Sequence, residues 1–104
     1  MKEVLVLEEA TADLEEGRSF YDRLEQGIGD YFFESVLSDL ERLRLFHGFH
    51  NRHFGCLRAL SGRFPFGIYY LDEPEIVRVI ASLDLRRNPN WIRAEIGRRG
   101  RTAQ

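Results

Sequence analysis

Three histidines, His47, His50 and His53, recur at every third position near the middle of the chain. Neutral imidazoles are common zinc ligands, and they exchange protons near neutral pH, so this spacing suits a metal site or acid/base catalysis. The segment from His47 to Gly55 contains no cysteine, no acidic residue and no hydrophobic period. This composition favours an ordinary loop and predicts no metal site, and it leaves His50 and His53 as candidate proton-transfer groups.

Arginine dominates the cations of the second half. Positions 1–41 carry twelve acidic and three basic residues, whereas positions 42–104 carry five acidic and twelve basic ones. Apart from Lys2 every basic residue is arginine, whose planar guanidinium makes paired hydrogen bonds to phosphate or carboxylate. The segregation predicts one of two things. Either the second half binds an acidic partner, a nucleic acid or an acidic polypeptide, or the two halves attract each other within the fold.

Arg63, Arg86 and Arg87 are the candidate contacts to a target or partner. Their alternative role is in surface ion pairs, with Asp84 as a nearby acceptor, each worth about 0–1 kcal/mol. Trp91, which follows in sequence, either caps the core over the last strand or contacts the same partner.

Length and composition predict one domain, 1–104, because 104 residues with 43% hydrophobic side chains support one core of ordinary size. Cys56 is the one cysteine, which excludes an internal disulfide and predicts a small buried side chain. No apolar run approaches the roughly 18 residues of a membrane span. The start, Met1 to Glu8, is too short and too acidic for a signal peptide, so the expected location is the cytoplasm.

Hydrophobic periodicity places the elements of the first half. Val4 to Leu7 is apolar and partly β-branched, as in a strand. Two amphipathic helices follow, from Glu9 to about Gln26 and from about Asp30 to Phe46, joined by a glycine-containing break. Their predicted core stripes are Leu14, Gly17, Tyr21, Leu24 and Ile28, then Phe33, Val36, Leu37, Leu40 and Leu43. The acidic residues of the first helix are predicted to form a solvated face: Asp13, Glu15, Glu16, Asp22 and Glu25.

In the second half of the chain, hydrophobic residues recur with a period of two, as in strands. Strands are predicted over Cys56–Ser61, Phe64–Tyr70 and Glu75–Leu83, the last with one face formed by Val77, Val79, Ala81 and Leu83. Asn88 followed by Pro89 is typical of an N-cap and first helical residue, and predicts a short final helix. The fold class is therefore α+β with order β-α-α-β-β-β-α. An antiparallel meander carries a helical hairpin on one face, and the last helix or a partner covers the other.

Three local patterns carry a resemblance to a known family. They are Leu57-Arg58-Ala59-Leu60, the run from Arg63 to Tyr70, and the run from Leu83 to Trp91. With the element order, they make the chain similar to the RelE/ParE superfamily of small bacterial toxins from Val4 to Ile96, and closer to its ParE (plasmid-stabilisation) branch. The chain departs from that branch where an arginine directly precedes Phe64, and at Asp84, where many relatives have a histidine.

The resemblance implies the toxin half of a type II toxin-antitoxin pair, with an antitoxin protein as partner and no cofactor or small-molecule substrate. ParE-like members are described as poisons of DNA gyrase, and ribonuclease members cleave messenger RNA on the ribosome. The implied contacts to target or antitoxin are Arg58, Arg63, Tyr70, Arg86, Arg87 and Trp91. A ribonuclease would instead use Arg63, Arg86 and Arg87 with His50 and His53.

The two branches differ in their need for proton transfer. After Lys2 the chain has no lysine, and Trp91 stands where a ribonuclease relative would offer an acid/base group. Indole does not titrate in the useful range. The sequence therefore favours the gyrase-directed, non-catalytic branch, with a messenger RNA endoribonuclease and a non-toxic binding member of the fold as alternatives.

Overall fold

A computed structural model describes residues 1–103, and the side chains of residues 1–101, so Gln104 of the predicted domain lies outside the described residues. The elements in chain order are β1 (Glu3–Val6), α1 (Glu8–Leu24), α2 (Ile28–Phe46), β2 (Arg52–His53), β3 (Cys56–Leu60), β4 (Phe66–Asp72), β5 (Ile76–Asp84) and α3 (Pro89–Ala103). The α+β class is confirmed, and the predicted element order matches apart from one additional strand, β2. The final helix, predicted to be short, has 15 residues.

The five strands form one mixed sheet in the order β1-β5-β4-β3-β2. Strands β3, β4 and β5 make the predicted antiparallel meander, and β1 joins its edge parallel to β5. Strand β2 lies in the segment that was predicted to be a loop. It pairs with β3 through a two-residue turn in which Phe54 and Gly55 both have positive φ, 57° and 87°. A phenylalanine in that conformation is uncommon, so the turn is not recognisable from the sequence.

The helical hairpin of α1 and α2 packs on one face of the sheet, as predicted. On α2 the buried stripe is Phe32, Val36, Leu40 and Leu43, so Phe32 takes the place predicted for Phe33. Leu24 and Leu37 were predicted to be core residues and are 67% and 44% exposed. Leu24 is the last residue of α1.

Helix α3 covers the other face, and a shift of register decides which β5 residues it meets. Tyr70 pairs with Val79 while Tyr69 pairs with Ala81, so β5 carries one extra residue, Ile80, at a bulge. An extra residue reverses the alternation of side chains. The prediction that Val77, Val79, Ala81 and Leu83 share one face is therefore wrong: the first two pack under the hairpin, and the last two pack with Ile92 and Ile96 of α3.

The start of α3 follows the predicted capping chemistry. The amide of Asn90 donates to Oδ1 of Asn88 at 2.8 Å, and Pro89 is the first helical residue.

Within the described residues, no helix combines the length and apolar character that a membrane crossing needs.

The acidic residues of α1 are not simply a solvated face. Asp13 is bound by both terminal nitrogens of Arg99, at 2.5 and 2.9 Å, and it also accepts the amide of Ser82. Glu16 accepts a hydrogen bond from Arg87 at 3.4 Å. The two halves of the chain thus attract each other within the fold, which accounts for part of the charge segregation. The predicted solvated face is wrong at Asp13.

Gly17 allows α1 to approach α2 closely. A Cβ at this position would lie 2.7 Å from the ring of Phe32, which is fully buried. Overpacking costs about 1–3 kcal/mol and outweighs the roughly 1 kcal/mol of helix propensity that alanine gains over glycine. We expect Gly17→Ala to lower the free energy of unfolding by about 1–2 kcal/mol in urea titrations. Gly100→Ala in α3, where a Cβ meets nothing within 4 Å, is the control and is expected to match or exceed the wild-type stability.

Candidate functional site

Two neighbouring loops carry the predicted arginines. The β3–β4 loop (61–65) contains Arg63, and the β5–α3 loop (85–88) contains Arg86 and Arg87. Because β4 and β5 are antiparallel, the start of one strand meets the end of the other, and Phe66 pairs with Asp84. The amide of Leu85 then donates to the carbonyl of Pro65 at 2.8 Å, which ties the two loops together.

A row of aromatic rings joins Arg63 to Arg86. Arg63 donates to the hydroxyl of Tyr31, and its guanidinium lies 5.6 Å from the centre of that ring. Phe64 packs between Tyr31 and Tyr21, with ring centres 5.7 and 4.9 Å away. Arg86 completes the row by donating to the Tyr21 hydroxyl at 3.4 Å. These five residues form what we call the arginine–aromatic edge, in which the rings of Tyr31, Phe64 and Tyr21 lie between Arg63 and Arg86.

Asp84 fixes the orientation of Arg86. The guanidinium binds both carboxylate oxygens, with contacts of 3.0 Å from Nε to Oδ1 and 2.7 Å from Nη2 to Oδ2. The side-chain bond from Arg86 lowers the pKa of Asp84, and the same bond raises the pKa of Arg86. Asp84 therefore stays ionised and is a poor proton acceptor. Its role here is to orient an arginine.

Arg87 and Trp91 stack beside the edge. The guanidinium of Arg87 lies 4.1 Å from the centre of the indole, which is close enough for a cation–π interaction. Trp91 is 39% exposed and belongs to neither buried cluster of the described residues. Its position favours the contact interpretation over that of a core cap.

Arg58 and Tyr70, two further predicted contact residues, lie elsewhere. The aliphatic part of Arg58 lies over Gly67 on the face that α3 covers, since a Cβ on Gly67 would come within 3.1 Å of it. Tyr70 is fully buried, and its hydroxyl accepts the amide of Gly48 at 2.9 Å. The structure does not support Tyr70 as a contact residue. It anchors the loop after α2.

The three histidines have three different surroundings. His47 lies 3.1 Å from a carboxylate oxygen of Asp72, and Nδ1 of His50 and the hydroxyl of Tyr70 form a hydrogen bond of 2.5 Å. His53 lies on β2 beside Phe54. Tyr70 is four residues along β4 from Phe66, or roughly 13 Å, so His50 does not join the arginine–aromatic edge. The ribonuclease set of Arg63, Arg86, Arg87, His50 and His53 is therefore not assembled at one place.

The sequence did not single out Tyr31 as a site residue. It stands in the first turn of α2, next to core residue Phe32, and its side chain is 44% exposed. A large exposed aromatic beside a core position was the available signal. Which arginine it meets depends on the β3–β4 loop, which has no hydrophobic period.

The loop after α2 should respond to pH through His50. Burial lowers the pKa of His50, so the unfolded chain binds this proton more tightly than the folded one. Stability then falls as the pH drops through the unfolded histidine value of about 6.5. We expect the free energy of unfolding to decrease between pH 7.5 and pH 5.5, and His50→Gln to flatten that dependence. An unchanged slope in chemical denaturation of this variant would contradict the assignment.

Comparison with known proteins supports the fold. No protein-family model matches the sequence, and no curated protein sequence matches it either. A chain from the structure of the chromosomal ParDE TA system from P. aeruginosa superposes with a TM-score of 0.74 at 14% identity, over 83% of this chain and 98% of that one. At this identity the likeness concerns architecture, so the chain shares the ParDE-type fold that its sequence resemblance implied.

Proposed function

We propose that the chain is the toxin of a type II toxin-antitoxin pair, acting in the cytoplasm, held inactive by an antitoxin protein and inhibiting growth by poisoning DNA gyrase. One observation carries the proposal: the fold matches 98% of a chain from a ParDE TA system. It is supported by the hydrogen bond that ties together the two loops carrying Arg63, Arg86 and Arg87. The structural match supports the proposed class of protein. The edge is where we place the contacts to target or antitoxin.

The chemistry of the edge favours binding over catalysis. Its groups are guanidiniums, which do not release a proton in proteins, and tyrosines. Burial raises the pKa of Tyr21, which keeps that phenol neutral. Asp84 is held as a carboxylate by Arg86. None of these groups accepts a proton readily at neutral pH, whereas fixed guanidiniums and exposed rings suit recognition of an acidic, partly apolar surface.

The antitoxin should cover exposed apolar surface near the edge. Phe20, Tyr31 and Trp91 are 41%, 44% and 39% exposed. Their burial at about 25 cal/mol per Å² would supply most of the affinity, while acidic antitoxin residues opposite the arginines would set the association rate and register.

Expression and a gyrase assay test the proposal together. Induction of the chain alone should arrest bacterial growth, and co-expression with the protein of the neighbouring gene should restore it. The purified protein should trap cleaved DNA when incubated with gyrase and supercoiled plasmid. Growth arrest without trapped cleavage would reject the gyrase target, and harmless expression would indicate a non-toxic binding member of the fold.

A messenger RNA endoribonuclease remains the second candidate because of one feature outside the edge. His53 lies close enough to Arg58 for that charge to act on it; burial, and then the charge, lower the pKa of His53. A neutral imidazole beside a cation is a usable general base for RNA cleavage. Mapping RNA ends on translating ribosomes separates the candidates: cleavage that is lost in His53→Ala and kept in His47→Ala would favour the ribonuclease.

A further inference from the structure

A cleft opens beside the arginine–aromatic edge, between α1, the end of β5 and the first turns of α3. Its cavity volume is about 280 Å³. Apolar wall is supplied by Gly17, Phe20, Phe66, Leu83 and Trp91, and polar wall by Ser82, three carboxylates and three guanidiniums. Binding sites for drug-sized molecules usually measure about 300–1,000 Å³, so this cleft has room for one side chain or a fragment of similar size.

Ser82 gives the cleft an unused hydrogen-bonding group. The residue is 2% exposed, and among the described residues its hydroxyl has no hydrogen-bond partner. Its backbone is already used, since the amide donates to Asp13 at 3.0 Å. A buried polar atom without a partner costs about 1–3 kcal/mol, and a ligand that supplies the partner recovers part of that cost.

The charges that line the cleft favour a neutral ligand. The carboxylates of Asp13, Glu16 and Asp84 match the guanidiniums of Arg23, Arg87 and Arg99 in number. Each carboxylate already has a counter-charge: Asp13 is held by Arg99, Glu16 by Arg87, and Asp84 by Arg86, which stands outside the lining of the cleft. A phosphate entering here would meet three carboxylates, and a cation would meet three guanidiniums. A nucleic acid therefore fits less well than an uncharged aromatic group with a polar tip.

We propose that this cleft receives one tyrosine side chain of a partner protein, with the phenol hydroxyl paired to Ser82 and the ring against Phe20 and Trp91. Tyrosine meets the three constraints of volume, neutrality and an available hydroxyl. It is also enriched among the residues that dominate interface energies. The proposal rests on the proposed function only for the identity of the partner, the antitoxin; the chemistry of the cleft is independent of toxicity.

Nuclear magnetic resonance titrations with two small probes test the cleft directly. p-Cresol reproduces the tyrosine side chain, and toluene is the same ring without the hydroxyl. We expect both probes to shift the amide signals of Gly17, Ser82 and Leu83 saturably, and p-cresol to bind about two- to tenfold more tightly, as one hydrogen bond implies. Ser82→Ala should fold normally, because it removes an unpaired hydroxyl, and should reduce the ratio of the two affinities to about one.

One further variant and one further probe add results that would either support or overturn the proposal. Phe20→Ala removes part of the exposed wall and should weaken both probes equally. An undiminished p-cresol preference in Ser82→Ala, or probe shifts only at other surfaces, would overturn the proposal. Tighter binding of uridine 5′-monophosphate than of p-cresol at the same amides would overturn it in favour of a nucleotide. These results do not depend on whether the chain arrests growth, so a failed toxicity assay leaves the binding result intact.

Discussion

Replacing Arg99 with methionine is expected to lower the free energy of unfolding by about 3–5 kcal/mol at pH 7, because it leaves a buried carboxylate without its principal counter-charge. The side chains of Arg99 and Asp13 are 8% and 9% exposed. The pair joins α3 to α1, and Arg99 also donates to the carbonyl of Ile80 in β5 at 3.2 Å. One substitution therefore weakens the contact among three elements.

The size of this loss should depend on pH, and its sign follows from Asp13. Burial raises the pKa of Asp13, and the hydrogen bonds from Arg99 act against that rise. Without Arg99, the pKa of Asp13 in the folded variant moves further above its unfolded value. A carboxyl with a raised folded pKa favours folding while it is protonated, and that contribution disappears as the pH rises through the folded pKa. The deficit relative to wild type should be smaller at pH 4 than at pH 7.

Urea unfolding of wild type and variant at both pH values checks this expectation. Arg98→Met is the matched control, because Arg98 is one position away and binds Glu9 and Glu95, but its side chain is 49% exposed. An exposed ion pair contributes about 0–1 kcal/mol, so the control should lose no more than that. Equal losses in the two variants, or a deficit of Arg99→Met that grows at low pH, would contradict the account.

The features that the sequence predicted correctly are local ones. Hydrophobic periods of 3.6 and 2 identified the hairpin and the meander, and Asn88-Pro89 identified the start of α3. Strand β2 was not predicted, because a strand of two residues is too short to show alternation and because Phe54 in its turn has a positive φ. The bulge at Ile80 was not predicted because Ile76 and Ile80 make the second face of this strand partly apolar as well, so alternation alone does not reveal a change of phase.

At the site, the sequence alone could not predict which residues far apart in the chain come into contact. The resemblance placed Arg63, Arg86 and Arg87 in one functional group, and the antiparallel pairing of β4 with β5 explains why two loops about twenty residues apart meet. Tyr31 meets Arg63 across 32 positions, and Asp13 meets Arg99 across 86. Each contact depends on how α1, α2 and α3 pack on the sheet. The hydrophobic periodicity of a single helix or strand does not determine that packing.

The largest effect on activity is expected from Arg63→Ala combined with Arg86→Ala. If the arginine–aromatic edge binds the target, removing the guanidiniums at its two ends should weaken that binding by at least about 2 kcal/mol, or roughly 30-fold. Colony formation after induction without antitoxin should then be restored. Folding should survive, because Arg86 is 59% exposed in its pair with Asp84, and such pairs contribute about 0–1 kcal/mol.

A double variant of Arg52 and Arg101 separates recognition from loss of charge. Both residues are exposed, on β2 and α3, and their replacement by alanine changes the net charge by the same amount. We expect this control to keep arresting growth. If the edge variant remains toxic while circular dichroism and urea unfolding show it folded, the target binds elsewhere on the molecule. If both variants lose toxicity equally, net positive charge, and not the geometry of the edge, attracts the target. The geometric interpretation requires that only the edge variant lose its effect, since only there do two tied loops hold the guanidiniums at fixed positions against Tyr21 and Tyr31.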